Sequence, residues 1–204
     1  MVEITKIENQ KNKNKFNLFV DGLFYCGILK ETAIANNFFV GKKIEEKDLK
    51  QIILASHSKE AFNKATDYLA TRHHSKQELK LKLIKKGFST DSVDLAIKKL
   101  EDYGYINDLQ FAKLFIEQNK NYSKQMLISK LINKGVSKTD IDTCFLSLPQ
   151  DNELELAENL AQKYLKNKDI NTCKEKLYAH LLRKGFGYDT IKIAIKNVTK
   201  VDIE

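Results

Sequence analysis

Three similar segments of this sequence are rich in lysine and arginine. The type and the regular spacing of these residues suggest binding to an anionic partner. Residues 75–86, 123–134 and 173–184 contain twelve basic and two acidic residues, a net charge of +10, whereas the other 168 residues together carry −2. Positive charge at regular intervals favours binding to a polyanion or to an acidic protein groove. The predicted binding residues are Arg72, Lys76, Lys80, Lys82, Lys85, Lys86, Lys124, Lys130, Lys134, Lys174, Lys176, Arg183 and Lys184.

The same lysines have an alternative explanation as the solvated faces of amphipathic helices, because basic clusters are weak motifs. Only Arg72 and Arg183 are arginines, against 33 lysines. Bidentate reading of guanine in the major groove is mainly the work of arginine, whereas lysine acts as a point charge. If the chain contacts DNA, we therefore expect contacts to phosphates with weak sequence preference.

Residues that would support catalysis or metal binding are not arranged to do so. The four histidines, His57, His73, His74 and His180, do not form an H-E-x-x-H motif, and adjacent histidines point in different directions. The segment from Gly22 to Gly27 lacks the lysine and hydroxyl residue of a phosphate-binding loop. We predict that the chain is not an enzyme and that it uses no cofactor and no metal.

A ten-residue phrase occurs three times and carries most of the basic residues. It reads LKLKLIKKGF at Leu79–Phe88, LISKLINKGV at Leu127–Val136 and LYAHLLRKGF at Leu177–Phe186. Leucines four residues apart share one face of a helix, so each phrase predicts an amphipathic helix. The glycine that follows the lysine predicts a helix stop, because glycine enters the left-handed conformation without steric strain. The three glycines are 48 and 50 residues apart, which indicates a tandem repeat.

Each phrase is flanked by signals for two further helices. Ser75, Ser123 and Cys173 stand at the predicted start of the phrase helix, and Ser75 with Glu78 matches a capping box. N-caps for a following helix stand two residues beyond each stop, at Ser89, Ser137 and Gly187. Preceding helices are predicted at about 60–72, 108–120 and 152–166. Cys144 takes the place of a small core alanine, and Pro149 separates the second and third units.

The N-terminal region has the period of β-strands instead. Apolar runs at Lys15–Val20 and Leu23–Ile28 flank Asp21-Gly22, which predicts a type I′ hairpin. Val2–Ile7 predicts a third strand, and Glu45–Ala55 a helix. The predicted fold is mainly α: three tandem three-helix, helix-turn-helix-like repeats in an elongated array, preceded by a small N-terminal β-hairpin or sheet plus helix.

The predicted organisation is an N-terminal cap at 1–58 and three-helix repeats at 59–106, 107–149 and 150–204. The chain has no leading apolar segment resembling a signal peptide and no run of 18 apolar residues. Its three cysteines include no C-x-x-C pair, which suits a reducing compartment. We therefore expect a cytoplasmic protein that does not bind membranes.

From about Ala61 to Val198 the chain resembles the RecX regulators of the RecA recombinase. The resemblance rests on an ordered set of short motifs. These are A-x-x-Y-L-A-x-R at 65–72, S-x-x-E-L-x-x-K-L at 75–83, K-G-F at 86–88, YGYINDLQFA at 103–112, L-x-x-K-G-V ending at Val136 and L-x-R-K-G-F ending at Phe186. The N-terminal hairpin is similar to the extra region of longer members.

This resemblance implies a non-enzymatic protein that binds the RecA filament, lies along its helical groove and most often inhibits its ATP turnover and strand exchange in recombination and SOS repair. It also implies binding to single- or double-stranded DNA, and we expect a monomer. Whether the protein inhibits, disassembles or assists the filament is left open by the sequence. The family provides no strict binding motif, so the predicted contact residues rest on the distribution of charge.

Two other functions remain compatible with the sequence. One is an independent helix-turn-helix-like DNA-binding protein, and the other is a helical-repeat scaffold for an acidic protein. Four tyrosines lie near predicted loops: Tyr103, Tyr105, Tyr122 and Tyr188. A tyrosine in such a place either stacks on nucleic-acid bases or packs its ring against the protein while its hydroxyl contacts water. We favour packing for Tyr103 and Tyr105.

Overall fold

The N-terminal residues form a four-stranded antiparallel sheet in the computed structural model, which describes residues 1–11, 14–147, 152–166 and 170–200. Its strands, in the spatial order β3-β2-β1-β4, are β1 Val2–Asn9, β2 Lys15–Val20, β3 Leu23–Leu29 and β4 Lys43–Ile44. Alternation along the strands buries Ile4, Leu18 and Ile28. The fourth strand, which pairs Val2 with Ile44, was not predicted because two residues are too few to show a period.

The predicted type I′ hairpin is confirmed between β2 and β3. Asp21 and Gly22 both have positive φ, at 50° and 85°, as the two central residues of that turn require. This geometry matches the right-handed twist of the paired strands and pairs Val20 with Leu23. A short helix, α1 Lys30–Ala35, follows β3.

A continuous helix of 26 residues, α2 Glu46–Thr71, replaces the two separate helices predicted around 45–55 and 60–72. No glycine or proline interrupts the polar residues between them. Sheet contacts hold this middle part, where the Ser56 hydroxyl accepts a hydrogen bond from the Leu29 amide (3.4 Å) and His57 Nε2 lies 2.9 Å from the Gly27 carbonyl oxygen. The first half of α2 buries Leu49 with the sheet, and the second half buries Ala61 and Ala65 in another core.

Nine helices of the described residues, counting α2, make up three groups of three, which we call modules 1, 2 and 3. Module 1 contains α2, α3 Lys76–Lys85 and α4 Thr90–Asp102. Module 2 contains α5 Asp108–Gln118, α6 Lys124–Asn133 and α7 Lys138–Leu146. Module 3 contains α8 Glu153–Leu165, α9 Ile170–Arg183 and α10 Tyr188–Thr199. This mainly helical fold with a small N-terminal sheet is the predicted one.

Each module has its own apolar core, to which the repeated leucines contribute. In each phrase, the pair of leucines that stand four residues apart is buried with small and branched residues of the third helix. Cys144 is fully buried in the core of module 2, as predicted, and its burial raises the pKa of the thiol. The leucine pairs are Leu79 with Leu83, Leu127 with Leu131, and Leu177 with Leu181.

The three predicted helix stops are confirmed. Gly87, Gly135 and Gly185 have φ values of 95°, 79° and 91°, in the left-handed region that side chains disfavour. The amide of the residue after each glycine donates to the carbonyl of the buried leucine five residues earlier, which ends the helix as a Schellman motif does.

Two compact units divide the chain, Met1–His74 with Glu78–Ile106 and Ser75–Gln77 with Asn107–Glu204. The repeat boundaries given above stay predictions, and Pro149 lies outside the described residues. None of the helices in the described part of the chain is long and apolar enough to cross a membrane.

Candidate partner-binding surface

Five of the six predicted basic residues of module 1 fall into two groups. Three of them serve the module itself: the Arg72 guanidinium lies 3.1 Å from the Glu78 carboxylate, Lys80 Nζ lies 2.7 Å from Asp94, and Lys82 Nζ lies 4.7 Å from the centre of the Tyr68 ring. Lys85 and Lys86 are exposed at the end of α3, and neither has an ion-pair partner among the described residues. These two lysines are therefore available to an external partner.

In modules 2 and 3, several of the predicted lysines make cation–π contacts with aromatic rings. Lys130 and Lys184 both lie over the Tyr122 ring, with Nζ 4.7 Å and 4.4 Å from its centre. Lys134 lies 5.4 Å from the Phe115 ring, and exposed Lys124 lies 5.2 Å from the Phe145 ring. Cations over aromatic faces are stabilised by the ring quadrupole, so these lysines have a structural role as well as a charge.

The remaining predicted residues are in α3 and α9. Lys176 and Arg183 are exposed, and Lys174 is half-buried, as is Lys76. The Lys76 amide donates a hydrogen bond to the buried Asp108 carboxylate (2.9 Å). The exposed cations on the three second helices are thus Lys85, Lys86, Lys124, Lys176 and Arg183.

The serines that begin two of the second helices contact the helix stop of the following module. The Ser75 hydroxyl donates to the Lys134 carbonyl (2.5 Å), and the Ser123 hydroxyl donates to the Gly185 carbonyl (2.7 Å). The Ser123 amide also donates to the Lys184 carbonyl (2.9 Å). Because helix ends leave carbonyls without intrahelical partners, these donors satisfy groups that would otherwise need water.

Glycine is required at those two stops for space as well as for backbone conformation. A Cβ atom at Gly135 would collide with Gln77 Cβ, and one at Gly185 would lie 2.5 Å from Met126 Cβ and 2.7 Å from Ser123 Oγ. Such separations are far below van der Waals contact. The sequence predicted the conformational role of these glycines but not the close approach.

A repeated aliphatic residue is exposed beside the basic positions of every module. Ile84, Ile132 and Leu182 each stand three residues before the stop glycine, with 44%, 54% and 52% of their surface exposed. Each follows a buried leucine by one residue, which turns it by about 100° from the buried face. That offset was present in the sequence and identifies this position as outside the core.

The tyrosines expected to pack do so only in part. Tyr103 and Tyr105 contact each other and the Phe62 ring, with ring centres 6.0–6.2 Å apart, yet more than half of each residue is exposed. Tyr188 is also about half exposed and contacts Tyr178. Tyr122 is half-buried beneath Lys130 and Lys184, so it has a packing role.

Within the described residues, no group of three or more His, Cys, Asp or Glu side chains is placed to hold a metal ion. His74 is buried and contacts Glu78 (3.2 Å); burial and the nearby positive charges of Arg72 and Lys82 lower the pKa of its imidazole. Its role is therefore within module 1.

Comparison with known proteins gives matches in both the N-terminal and the helical parts of the chain. Residues 2–45 match the model described as the regulatory protein RecX N-terminal domain. Residues 61–100 match the first three-helix domain of RecX, and residues 151–195 match the third.

Curated relatives and solved structures agree with those matches. The chain is 32% identical to the regulatory protein RecX of Clostridium beijerinckii, over 100% of this chain and 99% of the relative. It is 33% identical to that of Clostridioides difficile, over 98% and 97%. A crystal structure of regulatory protein RecX superposes with a TM-score of 0.60 at 23% identity, covering 98% of this chain and 100% of that one. RecX from Lactobacillus salivarius gives 0.57 at 22% identity, covering 72% and 99%.

Proposed function

Since this chain belongs to the RecX family of regulatory proteins, we propose that it binds the filament of the RecA recombinase and inhibits its ATPase and strand-exchange activities. The observation that carries the proposal is the recurrence of exposed cations and an exposed aliphatic residue on the second helix of the modules. A filament displays one protein surface at regular intervals, so a chain with repeated binding elements can contact several protomers at once.

Repetition compensates for weak individual contacts. A single exposed ion pair contributes between about 0 and 1 kcal/mol. Once one module is bound, the others meet the filament at a high effective concentration, which raises the overall affinity well above that of one module. The proposed action is non-enzymatic, takes place in the cytoplasm and needs only a monomer, because the binding elements are all on one chain.

The exposed cations are the residues that we assign to the acidic partner surface. Lys85 and Lys86 are the strongest candidates, since both are exposed next to each other at the end of α3. Arg183 occupies the position equivalent to Lys85 in module 3. Arg72, Lys80 and Lys82 contribute positive charge while they stabilise module 1 through Glu78, Asp94 and Tyr68.

Binding to DNA is a second proposed activity, which the net charge of +8 favours. Thirty-three lysines and two arginines suit contacts to phosphates of single- or double-stranded DNA with weak sequence preference. In that case the affinity falls steeply with added salt, because each phosphate contact releases counterions. An independent DNA-binding protein or a scaffold for another acidic protein would retain its binding without RecA.

Charge reversal at the end of α3 tests the proposed surface. We expect Lys85→Glu with Lys86→Glu to weaken binding to RecA filaments on single-stranded DNA by about tenfold or more, because attraction becomes repulsion at two exposed positions. Binding is measured by fluorescence anisotropy of the labelled protein, with bare single-stranded DNA in a parallel titration. Circular dichroism melts check the fold.

The matched control reverses two other exposed lysines of the same unit, Lys47→Glu with Lys98→Glu. It has the same net charge but leaves the second helix unchanged, so filament binding should stay close to that of the wild type. Equal losses in the two variants would assign binding to overall charge and reject the second-helix surface.

A further inference from the structure

We infer that Ile84, Ile132 and Leu182 are apolar anchors, each of which inserts into an apolar depression flanked by acidic groups on a protein partner. This inference rests on the proposed function and extends it, because it adds an apolar contact to the basic one and makes the partner surface that of a protein rather than of nucleic acid. The three residues occupy the same position of the repeated phrase, three residues before the stop glycine.

The module cores do not require these side chains. The buried clusters include the leucine before each anchor (Leu83, Leu131 and Leu181) but none of the anchors themselves. An exposed helix position near a stop accepts lysine, glutamate or glutamine with equal or better helix propensity. Three large aliphatic residues therefore recur at one equivalent, half-exposed position that the buried cores do not use.

Neighbouring positions of the phrase vary, which separates the anchors from a general apolar tendency. Three residues earlier the three modules have Leu81, Ser129 and Ala179, and one residue later they have Lys85, Asn133 and Arg183. Only the anchor position is a large, exposed aliphatic in all three. Its recurrence within one chain is what a partner with a repeating surface would require.

The chemistry of the anchors favours a protein partner. Isoleucine and leucine cannot donate hydrogen bonds to phosphates, and they lack the flat ring on which bases stack. They gain binding energy by leaving water for an apolar pocket, as central residues of protein interfaces do. Exposed cations beside two of the anchors, Lys85 and Arg183, require acidic groups around that pocket.

Truncation of the three anchors tests this inference. The triple variant Ile84→Ala, Ile132→Ala and Leu182→Ala keeps good helix formers and removes only the apolar side chains. Each truncation should weaken binding to RecA filaments about fivefold, from the area buried per side chain, and the triple variant by about 100-fold. Binding to bare single-stranded DNA should stay unchanged, and a thermal melt checks that the triple variant remains folded.

A control variant truncates two equally exposed aliphatic residues of the third helices, Leu95→Ala and Ile193→Ala. Their exposed fractions, 45% and 47%, match those of the anchors. Filament binding of this variant should remain within about twofold of the wild type. A loss as large as that of the triple variant would overturn the assignment to the anchor position.

The dependence of filament binding on salt concentration distinguishes the apolar contacts from the charged ones. Raising the salt concentration screens the charged contacts, so the defect of the Lys85→Glu and Lys86→Glu variant should shrink, whereas that of the triple anchor variant should persist. Wild-type binding to the filament with no loss in the triple variant would overturn this inference alone. No binding by the wild type would overturn the proposed function, and the inference with it.

Discussion

The helix stop at Gly87 and the stops at Gly135 and Gly185 share a sequence pattern but have different surroundings. Among the described residues, apart from its two chain neighbours, no heavy atom lies within 4 Å of the place where a Cβ would stand on Gly87, whereas the first turn of the preceding module's second helix fills that place at the other two. In module 1 the lysine-glycine pair ends a helix. In modules 2 and 3 the same pair ends a helix and also contacts the first turn of the preceding module's second helix. Position in the repeat decides which role the pair has.

The lysine before each stop glycine follows the same division. Lys86 is exposed, while Lys134 and Lys184 are half-buried over aromatic rings. Beside Gly87 there is instead a cavity of about 330 Å³, whose lining includes Lys86 and Glu60. The Glu60 carboxylate pairs with Lys15. Because their surroundings differ, these three equivalent lysines are not expected to bind a partner equally.

The largest expected effect is a difference between glycine substitutions. Gly87→Ala should destabilise the protein by about 1–2 kcal/mol, which is the strain of a left-handed conformation. Gly135→Ala and Gly185→Ala should each cost about 3 kcal/mol or more, because overpacking against Gln77 or Met126 adds to that strain. Urea denaturation followed by circular dichroism measures the three losses. Equal losses would mean that close approach at the second and third stops has no energetic role.

A smaller difference is expected between serines that cap helices. Ser123 both caps α6, through the Met126 amide, and donates to the Gly185 carbonyl. Ser137 caps α7, and within the described part of the chain its hydroxyl bonds only to residues of its own turn. Ser137→Ala should cost about 1 kcal/mol and Ser123→Ala about 2 kcal/mol, because the second change also leaves the half-buried Gly185 carbonyl without its donor. Urea denaturation of the two variants measures the difference. If Ser137→Ala proves the more costly, the contact with module 3 contributes no stability.

The smallest expected effect is a dependence on pH that is specific to module 1. In module 1, His74 precedes Ser75, the serine that contacts the Lys134 carbonyl, and the equivalent position before Ser123 in module 2 is Tyr122. Because burial and the charges of Arg72 and Lys82 lower the pKa of His74, the folded state binds the proton less well than the unfolded state does. Its contribution to stability is present above the usual pKa of 6.5 and is lost as the pH falls through the lowered value.

His74→Gln should therefore flatten the dependence of stability on pH below 6.5, relative to the wild type. His73→Gln, at the exposed neighbouring position, is the control and should leave the dependence unchanged. Denaturation midpoints between pH 5 and pH 8 provide the measurement. If the wild type and His74→Gln lose stability in parallel on acidification, other groups determine the response to acid.

Local sequence signals predicted the parts of the fold that depend on local physics. Asp21-Gly22 and the three stop glycines were identified because positive φ restricts the choice of residue. The continuity of α2 was missed, since Ser56 and His57 are weak helix formers whose contacts with β3 come from the tertiary fold. The contact of Ser75 with Lys134 joins residues 59 positions apart, and no local pattern encodes such a pair.

Part of the candidate surface could also be predicted from the sequence. The basic residues were selected by charge alone, but charge does not tell Lys86, which is exposed, from Lys184, which lies over Tyr122. The anchors Ile84, Ile132 and Leu182 follow from helix geometry once the buried leucines are fixed. Their function depends on the partner surface, which only binding measurements can define.

ATP hydrolysis by RecA on single-stranded DNA is the assay that tests the proposed regulation of the RecA filament most directly. The wild-type protein is titrated into preformed filaments, with a bare DNA-binding titration alongside. We predict inhibition at well below one molecule per RecA protomer, without matching competition for DNA, because in the proposed mode of binding one chain would contact several protomers. Unchanged hydrolysis together with firm binding to duplex DNA would rule out regulation of the filament and identify an independent DNA-binding protein.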